Sequence, residues 1–259
     1  MSGIRASDDL AEATAALHAQ WALLREWVGD ALEAHESNLP SVLHGWDVAD
    51  LVAHLGRAMS ALAVCQEAAA GTVPLTLAEY LGGYAGRAHQ ITEVTRQLAA
   101  EIADAPLPRV DALVAEAFTR LDAFGPGDRV VNARRAPVRL SDMVTSRVIE
   151  LVVHADDLQR SLEHARRGSG FEGRADSLGL DGGVGDSPIH RDALDLVARA
   201  LLRIDVARGG WSLEIAKPLT WVRLATGRLP YDVNVLAQAL TPQFMSDSVP
   251  DLGRMLPIL

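Results

Sequence analysis

Apolar residues recur at every third or fourth position over most of the first two thirds of the chain, the spacing of an amphipathic helix. The first repeat covers residues 10–39 and contains five large apolar residues: Leu17, Trp21, Leu24, Val28 and Leu32. Because proline disfavours helix in the residue before it, Pro40 predicts the end of this helix.

A second helix is predicted to begin near Asp47, a residue type that caps helix N-termini well. Asp50 follows three residues later, where a negative charge favours the positive end of the helix. We expect this helix to end at Gly71 and Pro74. Its apolar face consists of seven residues: Val48, Leu51, Val52, Leu55, Met59, Leu62 and Val64.

A third helix is predicted over residues 76–104, and a short one over residues 110–124. Three glycines, Gly82, Gly83 and Gly86, weaken the first half of the third helix, which indicates either close packing or a bend.

Beyond the breaker Gly125-Pro126-Gly127, residues 130–138 are predicted to be irregular or extended. Ser141 is the expected N-cap of a long helix over residues 142–166.

The composition changes at residue 167: seven glycines occur between residues 167 and 187, which is typical of a linker or loop. A small α+β region follows. It contains a predicted helix (192–206), a strand (211–215), a strand or short helix (218–229) and a short helix (233–240). We therefore predict three parts: a helical domain (1–166), a linker (167–189) and a C-terminal domain (190–259).

The formal net charge of −10 disfavours nucleic acid and anionic membrane as partners. Cys65 is the single cysteine, which excludes a disulfide framework and multi-cysteine metal sites, so any metal must use His, Asp and Glu. The N-terminus resembles no secretory signal, and the apolar stretches are interrupted by charges. We expect a cytoplasmic, soluble protein, monomeric or homodimeric.

The strongest chemical feature is a charged stripe on the long helix otherwise predicted to be buried: Arg147, Glu150, His154 and Asp157. Glu150 and His154 are one turn apart and share a face, so they can converge on one cation. His54, two turns into the second helix, is the natural third ligand. Two His and one Glu with one open position form a familiar catalytic zinc set. Spacing alone also allows a surface Glu–His pair and a core histidine.

Two segments carry a resemblance to a known family. Residues 44–55 read His-Gly-Trp-Asp-Val-Ala-Asp-Leu-Val-Ala-His-Leu, and the second motif runs from Arg147 through Glu150 and His154 to Leu158. Both resemble the mycothiol-dependent maleylpyruvate isomerase-like group, within the DinB-like helical-bundle superfamily. Residues 221–229, Trp-Val-Arg-Leu-Ala-Thr-Gly-Arg-Leu, resemble its C-terminal region.

The resemblance implies a mainly α fold: a DinB-like four-helix bundle followed by a small α+β, sterol-carrier-like C-terminal domain. It implies metal ligands at His54, Glu150 and His154, with zinc as the metal. It also implies that the open position takes a low-molecular-weight thiol, mycothiol in characterised relatives.

The implied metal site and its thiol suggest roles for further charged residues. Arg147 is expected to hold Glu150 or bind a substrate carboxylate, and Asp157 to act behind a metal ligand. Arg87, Arg223 and Arg228 are the candidate contacts to an anionic substrate.

The function hypothesis is a zinc-dependent, thiol-using isomerase or S-transferase that acts on a small electrophile, which is expected to be anionic. In an isomerase the thiol adds, permits rotation and leaves, whereas in a transferase it stays attached. Two alternatives are a non-catalytic small-molecule binding protein on the same fold and a zinc-dependent hydrolase.

Overall fold

The structure, a computed structural model, describes residues 2–34, 38–168, 187–244 and 249–259. These residues form nine α-helices and five short strands, so the predicted mainly α fold is confirmed. The helices are α1 (Ser2–Ala34), α2 (Val48–Ala63), α3 (Leu77–Gly82), α4 (Ala88–Glu101), α5 (Pro106–Phe124), α6 (Leu140–Gly168), α7 (Arg191–Gly209), α8 (Pro218–Ala225) and α9 (Val233–Ala239). The strands are β1 (Gln66–Glu67), β2 (Val130–Asn132), β3 (Pro137–Arg139), β4 (Leu213–Ile215) and β5 (Leu240–Pro242).

Helix α2 begins as its sequence predicts. The Asp47 carboxylate accepts a hydrogen bond from the Asp50 amide at 2.7 Å, and the Asp50 carboxylate accepts one from the Asp47 amide at 3.2 Å. This capping box satisfies two amides at the start of the helix. The predicted end at Gly71 is wrong, because the chain leaves the helix after Ala63 and residues 66–67 pair with β2 as strand β1.

The predicted third helix is divided in two, so the glycine cluster marks a bend. Helix α3 ends at Gly82, a 3-10 turn covers Ala85–Arg87, and α4 starts at Ala88. The bend places Tyr84 between the two helices, where its hydroxyl accepts a hydrogen bond from Arg147 on α6.

The extended segment before α6 is a hairpin, with β2 antiparallel to both β1 and β3. Ser141 is not the N-cap of α6, because the helix already begins at Leu140. Instead, the Ser141 amide and hydroxyl both donate to the Asp128 carboxylate at 3.0 Å. Asp128 therefore takes over the capping role from a position outside the helix.

Helix α6 runs through the centre of the molecule. It packs against α1, α2 and α7, and α2 also contacts α4 and α5. These contacts bring the predicted metal ligands of α2 and α6 to a shared interface.

The C-terminal region shares this core. Residues 218–229 were predicted to form a strand or a short helix, and the structure has a helix there, α8. Strands β4 and β5 pair in a two-stranded sheet. Trp221 of α8 is fully buried, and its indole N–H donates to the Ala198 carbonyl of α7 at 3.0 Å.

The DinB-like and sterol-carrier-like assignments and the domain boundaries remain predictions. Most of the predicted linker, residues 169–186, lies outside the described residues. Within the described ranges, no helix is long and apolar enough to cross a bilayer.

Candidate metal centre

Three side chains from two helices meet at the interface of α2 and α6. His54 projects from α2, and Glu150 and His154 project from α6, one turn apart. One ligand atom from each lies within 4.8 Å of the other two. The helical spacing does place Glu150 and His154 on a shared face, and the packing of α2 against α6 brings His54 to them.

The distances from Glu150 to the two histidines fit a small tetrahedral cation. One oxygen of Glu150, Oε2, lies 3.3 Å from His54 Nε2 and 3.4 Å from His154 Nε2. Metal–ligand bonds of about 2.0–2.1 Å in a tetrahedron separate neighbouring ligand atoms by about 3.3–3.4 Å. The donor set, two imidazoles and one carboxylate, is the type that zinc accepts.

Each histidine is oriented through its other ring nitrogen. His54 Nδ1 lies 3.2 Å from the Thr95 hydroxyl of α4, and His154 Nδ1 lies 3.0 Å from Asp157 Oδ2. Asp157 is fully buried and is itself held by Arg228, whose NH2 group donates to Oδ2 at 2.9 Å. Both imidazoles therefore direct Nε2 toward Glu150, as outer partners do for metal-ligating histidines.

The charges of the cluster follow from burial and pairing. Burial lowers the pKa of His54 to about 4, which leaves a neutral imidazole. For His154, hydrogen bonds to Asp157 and Glu150 outweigh burial and raise the pKa. Burial opposes ionisation of Glu150 and Asp157, but their histidine and arginine partners outweigh it, so both pKa values are lowered, that of Asp157 to about 2. A positive charge is thus stabilised between two carboxylates, which is the electrostatic setting of a cation site.

Arg147 is buried one turn before Glu150. Its guanidinium donates to the Ala58 carbonyl at 2.7 Å and to the Tyr84 hydroxyl at 2.5 Å, and it lies 4.0 Å from Glu150 Oε1. Trp46, beside the α2 cap, meets His54 edge-on and lies parallel to His154, with ring centroids 5.1 and 6.4 Å away. Arg147 therefore supplies a fixed positive charge next to Glu150, and Trp46 supplies an apolar wall beside the two histidines.

A cavity of about 520 Å³ opens on this cluster. Its walls are largely apolar, and they include all three candidate ligands and both Trp46 and Tyr84. Five arginines also line it: Arg57, Arg134, Arg135, Arg147 and Arg228. This volume suits a small molecule rather than a macromolecule.

The other predicted site residues are distributed differently. Arg87 is exposed in the 3-10 turn and does not line the cavity. Arg223 is bound to Asp156 by two hydrogen bonds of 2.9 and 2.6 Å, whereas Arg228 does line the cavity. Cys65 is buried outside the cavity lining, and burial raises the pKa of its thiol to about 11.

Several residues of the site were missed in the sequence. Arg57 lies one turn after His54, so the spacing that linked Glu150 with His154 would have placed it on the same face. Thr95, Tyr84 and Arg135 carry no such signal, because their positions depend on the bend before α4 and on the β2–β3 hairpin.

Comparison with known proteins identifies the family of the chain. No curated protein and no solved structure matches the chain. The family model described as "Mycothiol maleylpyruvate isomerase N-terminal domain" matches residues 6–159, which include His54, Glu150 and His154. The chain therefore belongs to the mycothiol maleylpyruvate isomerase N-terminal domain family.

Proposed function

We propose that this protein is a zinc-dependent enzyme that uses mycothiol or a related small thiol, as an isomerase or an S-transferase. The observation that carries the proposal is the convergence of His54, Glu150 and His154 on the wall of a cavity, with both histidines at tetrahedral spacing from Glu150. Family membership supports a thiol as the partner.

His54, Glu150 and His154 would hold the metal and leave one position for an external ligand. When bound, zinc would lower the pKa of a thiol or water at that position and so supply a nucleophile at neutral pH. The single cysteine of the chain is a poor source of that thiolate, because Cys65 is buried away from the cavity and its pKa is raised. An external thiol fits this arrangement.

The remaining residues position the site. Thr95 and Asp157 fix the two imidazoles through Nδ1, and Arg228 fixes Asp157. Arg147 stabilises the charge of Glu150 from 4.0 Å away. Trp46, together with the other apolar residues of the wall, reduces the contact of water with the ligands, which strengthens electrostatic interactions inside the cavity.

The first test is metal content. We expect wild-type protein to bind one zinc ion per chain, and His54→Ala and His154→Ala to lose at least about 100-fold in affinity, more than outer-partner changes cost. Zinc binding is measured by competition with a chromogenic chelator. His164→Ala, at an exposed position of the same helix α6, is the matched control and should bind as wild type. Wild-type binding no tighter than that of His54→Ala would contradict the proposal.

The second arm of the test concerns the thiol. Zinc-loaded protein is titrated with mycothiol and with glutathione in a calorimeter, and binding of one of them is expected. If neither binds to protein that holds zinc, thiol use is wrong, and a zinc-dependent hydrolase or a non-catalytic binding protein takes its place.

A further inference from the structure

The cavity beside the candidate metal centre carries an excess of positive charge that the proposed chemistry leaves unused. Three of its arginines, Arg57, Arg134 and Arg135, have no carboxylate oxygen within 4.0 Å anywhere in the described part of the chain. The other two differ, since Arg228 is paired with Asp157 and Arg147 lies beside Glu150. Among the described residues that line the cavity, Glu150 is the only one with an acidic side chain.

The three arginines approach the cavity from two elements. Arg57 lies on α2 one turn after His54, about 4.5 Å farther along the helix axis at about 1.5 Å per residue. Arg134 and Arg135 lie in the turn between β2 and β3, which a hydrogen bond between Ala133 and Ala136 closes. A hairpin turn and a helix face thus converge on one end of the cavity.

Arg135 is held in place by an aromatic ring. Its guanidinium lies 4.5 Å from the centre of the Tyr84 ring, and the hydroxyl of that tyrosine accepts a hydrogen bond from Arg147. A cation over an aromatic face is attracted by the ring quadrupole. Arg135 is therefore positioned without a carboxylate partner, and its charge is left for a ligand.

Two of these guanidinium groups are left unsatisfied by the protein. One terminal nitrogen of Arg135, NH1, is buried and has no hydrogen-bond partner among the described residues. Arg57 is half-buried, and the pKa of its guanidinium is lowered, first by burial and then by the charges of Arg135 and Arg134 despite the opposing effect of Glu150. Burying unpaired charged donors close together is unfavourable, and an anion would relieve both costs.

We propose that Arg57, Arg134 and Arg135 form a subsite for a dianionic oxyanion group, a dicarboxylate or a phosphomonoester. This subsite rests on the proposed function, because the same ligand reaches the His54–Glu150–His154 centre with its other end. Guanidinium groups bind carboxylate and phosphate through paired N–H donors, and three cations match a dianion better than a single carboxylate.

The position of the subsite restricts the ligand. Since Arg57 lies one turn after His54 on the same helix face and both line the cavity, a compact ligand can reach both residues. The substrate class is therefore a compact dianion with its electrophilic carbon close to the charged group. The net charge of −10 on the chain does not oppose this, because the local field inside a cavity is set by its own lining.

The test uses metal-free full-length protein, so that no metal contributes to anion binding. Inorganic phosphate, malonate and acetate are titrated by calorimetry at constant ionic strength. We expect both dianions to bind at least about tenfold more tightly than acetate, and Arg57→Gln and Arg135→Gln each to weaken dianion binding by about tenfold or more, the usual effect of losing a charge-assisted hydrogen bond. Tighter binding of phosphate would identify a phosphomonoester, and tighter binding of malonate a dicarboxylate.

The matched control is Arg139→Gln, at an exposed position of the same hairpin where Arg139 pairs with Asp128 instead of lining the cavity. Equal weakening in this control, or unchanged binding in the Arg57 and Arg135 variants, would overturn the inference. Arg134→Gln changes an exposed loop position and keeps the test available if Arg57→Gln does not fold. Because zinc binding is measured separately, wild-type protein that binds zinc but neither dianion refutes this subsite, and wild-type protein that binds a dianion but no zinc refutes the proposed function.

Discussion

Asp157 is the residue that connects the candidate metal ligands with the C-terminal region. Its carboxylate lies 3.0 Å from His154 Nδ1, and it accepts hydrogen bonds from Arg228 beyond α8. A ligating histidine whose outer nitrogen is bound to a carboxylate is fixed in tautomer and ring orientation, and it is a stronger donor. Asp157 is thus a positioning residue that acts through His154.

We expect Asp157→Asn to weaken zinc binding by about 10- to 100-fold, the usual effect of removing such a carboxylate. The variant keeps the size of the side chain but loses the charge that stabilises His154. Competition with a chromogenic chelator measures the dissociation constant. A merely structural role would lower thermal stability and leave this constant unchanged, which would contradict the prediction.

The adjacent residue provides a matched control. Asp156 is also buried on α6 and also binds an arginine of the C-terminal region, Arg223 of α8, but neither histidine is among its partners in the described part of the chain. Asp156→Asn should therefore destabilise the fold, because it removes a buried carboxylate that binds Arg223, while the affinity for zinc stays at the wild-type value.

At the scale of residues, the sequence predicted what lies on single helices and missed what depends on folding between them. Glu150 and His154 could be paired because a separation of four residues on a helix means a shared face. Tyr84 and Arg135 are 51 positions apart, and their contact depends on a helix bend and a hairpin turn, neither of which leaves a periodic pattern.

At the scale of elements, α2 is the helix on which the site depends most. It carries His54 and Arg57, and the capping box of Asp47 and Asp50 fixes its start two turns before the histidine. Since the first amides of a helix have no partner within the helix, their satisfaction must come from such side chains.

Asp47→Ala is expected to lower the free energy of unfolding by about 1 kcal/mol, within the range of about 0.5–2 kcal/mol for N-cap removal. Urea denaturation followed by circular dichroism measures the change. Thr76→Ala, which removes the capping box of the short helix α3, is the control. Because α3 is only six residues long and its capping hydrogen bonds are exposed, its start can fray locally. Thr76→Ala should therefore cost less than Asp47→Ala, and an equal cost would contradict the prediction.

The element boundaries show where local patterns stop being informative. The capping residues of α2 were recognisable because a cap is a local interaction within four residues. The early end of α2 was not, since it follows from the pairing of Gln66 with Asn132 of β2. Likewise, Asp128 caps α6 from thirteen residues before Ser141, too far for any local signature.

At the scale of the whole molecule, the C-terminal region completes the candidate site. Arg228 and the terminal residue Leu259 line the cavity together with residues of α2 and α6. The buried side chain of Gln20 on α1 is bound to the backbone of Pro188 and His190, just before α7. Composition predicts a linker over residues 167–189, and this division stays a prediction. The contribution of residues from both sides of it to one cavity could not be predicted, because composition carries no information about docking.

The stability of the whole molecule should depend on pH through one buried carboxylate of this region. Asp205 on α7 is fully buried, and neither of its oxygens has a hydrogen-bond partner among the described residues. Arg208 lies 3.9 Å away and only partly offsets the burial, which raises the pKa of Asp205 from 3.8 to about 6. The folded state therefore holds this proton more tightly than the unfolded chain does.

The sign of the pH dependence follows from that difference. The favourable contribution of protonated Asp205 is fully present below about pH 4 and is lost as the pH rises through about 6. The free energy of unfolding of wild type minus that of Asp205→Asn should fall by about 2 kcal/mol between pH 4 and pH 7, since one pKa unit corresponds to about 1.4 kcal/mol and the nearby arginine and solvent screen part of it. Urea denaturation of both proteins across this range measures the difference. Leu202→Val, a buried change on the same helix without a titrating group, should shift stability equally at every pH, and a flat profile for the Asp205 pair would contradict the prediction.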